Sequence, residues 1–353
     1  MKSVLLFLAA LLVQQSVKSA TWIVDNNINS PQPIKSVQDA IDNYASSGDT
    51  IMVEGSPASY GDFTVSKPLT LIGEGSNDNL IENTIAGLIW ITSSNVFITG
   101  FNLIFGVPPI RIGIEGNFEP ESLSNITVER CVFPGFEFFG PRQGSDTFHN
   151  IFIRNNIIRY GLRTGYGSAI TMDTLILENN LLVALNFEGW GYNVTGGNTI
   201  FIRNNVFINT SSPIFYNGYW NSHLTDAIVS NNIFYAANPQ GCNCTYMNNL
   251  TYGNGSNDTL PGPQNNNIYS QDPLFVNYPG GDFNYSYDFA LKAGSPCIMA
   301  GIGGTDMGIK GGYFPYAVGE GPKIPVVDFV NLSSSAVAEN KQVNLQFDAH
   351  IRK

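Results

Sequence analysis

The sequence predicts an all-β fold, a parallel β-helix of about seven to nine stacked coils. Three observations predict it. A short frame recurs along the chain, as IFIRNNII at 151–158, LILENNLL at 175–182 and IFIRNNVF at 200–207. Aligned on its Asn pair, the frame has anchors at Gly73, Gly100, Arg130, Asn155, Asn179, Asn204 and Asn231, separated by 27, 30, 25, 24, 25 and 27 residues. Each unit alternates with period two and carries nothing at helical spacing, which argues for short strands joined by turns.

Composition sets the outer bounds. The 353 residues include 43% hydrophobic and only 13% charged residues, with 40 asparagines. A sizeable core is available, and the charged fraction is low for a globular surface. The net charge of −11 argues against a nucleic-acid partner, which would favour a basic face.

In chain order, residues 1–19 read as a signal peptide. Lys2 supplies the positive start, Val4 to Val13 the apolar run, and Val17-Lys18-Ser19 the small-residue exit. That run is too short to span a bilayer, and no later segment reads as a membrane span. The expected location is therefore secreted, extracellular or at the cell surface. The stretch 34–44 places Val37, Ala40, Ile41 and Tyr44 on one helical face, a short helix that plugs the open apolar end of the rod. Asp49 to Val53 reads as the first strand.

The coils then follow. Ile126, Ile151, Leu175, Ile200 and Ala227 form one inward row, and Val128, Ile153, Leu177, Ile202 and Val229 the next. Asn155, Asn179, Asn204 and Asn231 align at a turn, where stacked amides would hydrogen-bond from coil to coil. The second Asn of each pair is expected to take the left-handed corner. Glu129, Arg154, Glu178 and Arg203 alternate in sign on the outer face and would favour the register. Phe97, Phe152, Ile176, Phe201 and Ile228 form an outward apolar stripe that loops, a C-terminal hairpin or a partner must shield.

Four cysteines remain, Cys131, Cys242, Cys244 and Cys297. An oxidising compartment permits disulfides. Two readings stand equally: one member of the 242/244 pair bonds Cys297, or some of the four are buried thiols. With three histidines they make no zinc spacing. Nine N-x-S/T sequons, among them Asn125, Asn193, Asn249 and Asn331, accompany the high asparagine content.

Two stretches carry a resemblance to a known group. SVQDAIDNYASSGDTIMVEG with FTVSKPLTLIGEG, and QDPLFVN, ALKAGSPCIMAG and TDMGIKGGYFP toward the end, are similar to the opening and closing segments of secreted right-handed parallel β-helix proteins with the pectate-lyase-like fold. The resemblance covers roughly residues 21 to 315 and implies a fold more than a function, because this fold hosts many activities. Asp272 and Asp306 read as turn and cap residues. The division expected is a signal peptide at 1–19, a β-helix at 20–315, and a linker with a C-terminal hairpin or tail at 316–353.

The resemblance also implies where a site would lie, in the strand and loops preceding each Asn-pair strand. Candidate catalytic residues there are Glu137, Glu188, Arg142 and His223. Candidate substrate-binding residues are Trp190, Tyr192, Tyr216, Tyr219, Trp220 and Arg163. Aromatics offer rigid contact area with a polar handle, and Arg captures a carboxylate in a bidentate fork. His149 and His223 stand without an evident nucleophile and read as turn hydrogen-bonders. Aromatics in such loops also serve simply to cover an apolar stripe.

Three functions fit this pattern. One is a polysaccharide-active enzyme. A uronate lyase would neutralise the sugar carboxylate and remove the C5 proton with a basic side chain, with calcium held by groove carboxylates. A glycoside hydrolase would set two carboxylates across a groove. The second is a non-catalytic, adhesin-like protein that binds extracellular polysaccharide or cell-surface glycan. The third is a structural rod.

Overall fold

The computed structural model describes residues 19–75, 83–103, 110–113, 122–139, 145–164, 169–183, 186–189, 194–195, 200–210, 213–217, 222–223, 225–260, 264–316, 325–332 and 345–351. The segment read as a signal peptide, 1–19, lies outside them but for Ser19. No described helix is long and apolar enough to cross a membrane.

The chain winds as a parallel β-solenoid. Each coil gives one strand to each of two parallel sheets: Ser122–Glu129 then Val132–Phe138, Ser145–Arg154 then Ile157–Thr164, Leu175–Glu178 then Leu181–Val183, Ile200–Arg203 then Val206–Thr210. Register is set by the alternating pattern, since a slip of one residue would turn every inward side chain out. The pairs Val128↔Ile153, Ile153↔Leu177, Leu177↔Ile202 and Ile202↔Val229 form one unbroken inward row. All five side chains are buried, and each contributes about 1.5–3 kcal/mol.

The first strand is Thr21–Val24, which pairs in parallel with Thr50–Val53. It precedes the strand expected to open the sheet, because TWIV has no repeat frame to mark it. The plug forms as a helix at Val37–Asp39 that widens into a π-helical turn at Ala40–Tyr44. Ser36 caps it, its Oγ accepting from Asp39 N at 3.3 Å. Val37, Ala40 and Ile41 are buried, whereas Tyr44 is 42% exposed. The wider turn rotates Tyr44 off the buried face, and its ring packs instead on Trp22, centroids 5.6 Å apart.

Asp49 ties this end together. Its buried carboxylate accepts from Ser46 N, Ala20 N and the Trp22 indole at 2.9, 2.7 and 3.0 Å. These bonds, the Ser46 amide foremost, hold its pKa below the ordinary value. A depressed carboxylate stabilises the fold above its unfolded pKa, and that contribution is lost as pH falls through the folded pKa. Asp49→Asn is therefore expected to melt below wild type at neutral pH, with the gap closing once the pH falls well below about 4. Thermal melts of both proteins across pH 2–7 read this directly.

Both asparagines of each pair are used, with roles opposite to those expected. The first, at Asn155, Asn179, Asn204 and Asn231, takes the left-handed corner with φ of 53–57°. The buried ladder runs through the second. Asn156 Nδ2 donates to Asn180 Oδ1 at 3.1 Å, Asn180 to Asn205 at 3.0 Å, Asn205 to Asn232 at 3.0 Å, and Asn232 to Asn249 at 3.0 Å. Each of these amides also donates to a carbonyl, for example Asn205 Nδ2 to Leu177 O at 2.9 Å, and accepts from a backbone N–H. The left-handed residue turns its own side chain outward, so only its successor points into the corner.

The outward Asn row becomes a rail for the closing segment. Asn248 donates to Ala300 O, Asn231 accepts from Ile302 N, Asn204 donates to Asp306 O, Asn179 to Ile309 O and Gly311 O, and Asn155 to Phe314 O, all at 2.7–3.2 Å. Residues 300–314 thus run back along the rod, held at one coil after another. Asn204 and Asn231 also meet each other, at 3.4 Å.

The closing segment seals a second apolar core. Val132, Ile157, Leu181, Val206, Ile233 and Leu250 form an outward row of the second sheet. Phe275, Phe289, Cys297, Met307, Ile309 and Tyr316 bury it. Asp272 Oδ1 accepts from Leu274 N and Asp306 Oδ1 from Met299 N, the turn roles expected of them.

Cys242 and Cys244 bond each other, and Cys131 and Cys297 are buried thiols. Pairing with Cys297 fails because Cys242 and Cys244 belong to the interior core and Cys297 to the core outside the second sheet. Burial pushes both free thiols up to about 12. The chain ends in an antiparallel pair, Pro325–Leu332 with Leu345–Ile351.

Candidate functional site

The second sheet stacks the predicted charged candidates in one row. Its register pairs Thr64↔Trp90, Trp90↔Arg111, Arg111↔Glu137, Glu137↔Arg163 and Arg163↔Glu188. The neighbours on either side of Glu137, Phe136 and Phe138, are buried in the interior, so alternation sets this row on the outer face. Two predicted carboxylates and the predicted Arg between them therefore occupy three consecutive coils.

The near end of the row is packed. The Arg111 guanidinium lies 5.0 Å from the Phe139 ring and 5.8 Å from Trp90, and its Nε is 3.2 Å from Glu137 Oε2. The Trp90 indole donates to Gly113 O at 2.6 Å. Gly113 is required there: it sits at φ 112°, and a Cβ would collide with the Phe139 carbonyl. The result is a half-buried Trp–Arg–Glu stack with one ion pair already made.

At the far end, Tyr216–Asn217 and Ser222–His223 form a small antiparallel hairpin that opposes Tyr216 to His223. It lies against strand Asn186–Gly189, which carries Glu188. The backbone thus gathers Glu137, Arg163, Glu188, Tyr216 and His223 on neighbouring elements. Arg142, Trp190, Tyr192, Tyr219 and Trp220 lie outside the described residues. Among the described residues, no group of three or more His, Cys, Asp and Glu side chains is placed to hold a metal ion.

One pair was missed. His149 Nδ1 lies 3.0 Å from Asp173 Oδ2, both partly exposed on the first sheet. The signal was present in the spacing, because 24 residues is one coil and His149 and Asp173 precede equivalent strand positions.

The charge row of the first sheet shows what such alternation can do structurally. Arg154 Nε donates to Glu129 Oε2 at 2.7 Å, Arg203 Nε to Glu178 Oε2 at 2.8 Å, and Phe314 caps Arg154 at 4.2 Å. Glu178 is only 3% exposed. Comparison with models of known protein families finds no match, and comparison with curated proteins finds none either.

Proposed function

We propose that the protein engages an acidic extracellular polysaccharide along the outer face of its second sheet. The observation that carries this reading is the register row Arg111, Glu137, Arg163, Glu188 with the Tyr216–His223 hairpin beside it. A sugar polymer laid along the rod axis meets one coil after another, about 4.8 Å apart. In this reading Arg163 takes a uronate carboxylate in a bidentate fork, and the tyrosine supplies apolar contact with a hydroxyl handle. Arg111, already paired with Glu137, supports the edge of the groove.

A second reading has one observation in its favour. Glu137 and Glu188 stand two strands apart, about 9.6 Å between backbones by strand spacing. That is near the carboxyl separation of about 6.5–9.5 Å used by inverting glycoside hydrolases.

Retention of the purified protein on polygalacturonate, alginate and chondroitin, with and without calcium, tests the first reading. Retention should weaken with salt, and Arg163→Ala should weaken it about tenfold or more, the worth of one charge-assisted contact. Retention without product supports a binding protein. New reducing ends that vanish in Glu188→Gln and Glu137→Gln support the hydrolase. Unsaturated product would mean a lyase. Absence of both retention and product across the panel overturns the proposal.

A further inference from the structure

Three outward rows run along the first sheet. Asn95, Asn125 and Asn150 form one, their amides bonded in sequence at 2.9 and 3.0 Å. The charge row at Glu129, Arg154, Glu178 and Arg203 forms another, reached by Phe314 of the closing segment. Between them stands the apolar stripe Phe97, Thr127, Phe152, Ile176, Phe201 and Ile228, one residue per coil. These side chains are half-buried and belong to neither apolar core.

The C-terminal hairpin carries the complementary surface. Its register pairs Leu332 with Leu345, Val330 with Phe347 and Val327 with Ala349, all on one face. Asn331, Gln346, Asp348 and His350 fall on the other, together with Val326 and Phe329. A shift between Val327 and Phe329 restores the phase: an extra residue in one strand lets both strands keep their apolar positions on the same side. An isolated two-stranded hairpin is marginal in water, and one with an apolar face needs a surface to cover.

We infer that this hairpin docks its apolar face on the Phe97–Ile228 stripe of its own chain. Length agrees. The stripe crosses five coil steps, about 24 Å, and the eight-residue strand Pro325–Leu332 spans about 23–26 Å. The tether agrees too. Phe314 lies 4.2 Å from Arg154, which is two residues from Phe152 on the same strand face. Tyr316, where the tether starts, is buried in the core outside the second sheet, and residues 317–324 reach up to about 30 Å from it. A tether this short holds the hairpin at millimolar-scale effective concentration beside the stripe. Phe314 of the closing segment thus caps Arg154 in the charge row, one row over from the stripe.

Hydrogen exchange on the intact protein tests this, against two variants. Phe152→Ser/Phe201→Ser changes only the stripe, and Val330→Lys/Phe347→Lys only the hairpin. Amides of 326–332 and 346–351 should be protected in wild type and exchange at least about tenfold faster in both variants. Amides of the strands flanking Asn180 and Asn205 should stay protected, showing that the rod is intact. Hairpin protection that survives the stripe variant overturns the inference, as does a hairpin unprotected in wild type. Protection that grows with protein concentration, with a dimer in sedimentation, assigns the stripe to a second copy and overturns it equally.

Discussion

Replacing Asn205 with alanine is expected to lower unfolding stability by about 4 kcal/mol, a large fraction of an ordinary domain's total. Asn205 is fully buried. Its amide donates to Leu177 O at 2.9 Å and Asn232 Oδ1 at 3.0 Å, and its carbonyl accepts from Asn180 N and Nδ2 at 2.9 and 3.0 Å. Alanine strips the Leu177 carbonyl and the Asn180 N–H of a partner inside the corner, at about 1–3 kcal/mol for each group left unsatisfied. Polarised chains of amides lose more than the single bonds suggest. The neighbour provides the contrast. Asn204→Gly keeps the left-handed corner, which Gly adopts freely, and loses the bond to Asp306 O and the longer one from Asn231 Nδ2, so it should cost about 1–2 kcal/mol. Urea unfolding of the two variants decides the matter. Equal losses would mean that the ladder does not run through the second Asn of each pair.

Gly311→Ala is expected to lift the closing segment from the rod. A Cβ at Gly311 would fall on the Asp306 carbonyl and lie 2.8 Å from Asn204 Nδ2. The first obstacle is backbone, which cannot rotate away, and the second belongs to the rail that holds the segment. The readout is Cys297. It is buried at 0% exposure under this segment, as Cys131 is inside the coils, and burial pushes both thiols up to about 12. Neither should react with a maleimide in wild type. In Gly311→Ala, Cys297 should be labelled at least about tenfold faster while Cys131 stays silent, because local opening need not unfold the coils. Labelling of both would mean global unfolding, and labelling of neither would mean that the segment accommodates the methyl group.

The two predictions share an origin in the Asn pair, and the pair shows where sequence reading stops. Both asparagines recur with the coil, so periodicity marks both as structural and cannot say which one stacks. The sign of φ decides: the first residue sits at 53–57°, which sends its amide outward and leaves the corner to the second. The outward row then finds its partners 50 to 160 residues away in sequence, at Ala300, Ile302, Asp306, Gly311 and Phe314, and no local pattern announces them. The candidate site divides in the same way. Residue types and loop positions single out Glu137, Arg163 and Glu188, but their alignment on one row depends on a pairing that shifts register between Phe133 and Gly135. His149 was read alone and Asp173 not at all, although one coil separates them.

By itself, the sequence determined the solenoid. Period-two alternation, a repeat near 25 residues and like-on-like inward positions leave one way to bury those rows, and a slip of one residue would expose them all. Only the tertiary structure decided what lies on the outside of the coils: which Asn stacks and which serves as a rail, how residues 268–316 seal the row from Val132 to Leu250, and why Cys297 stands apart from Cys242 and Cys244. The physical reason is range. Burial inside a coil is written in the spacing of neighbouring residues, whereas the outer contacts join segments whose relation exists only once the coils have stacked.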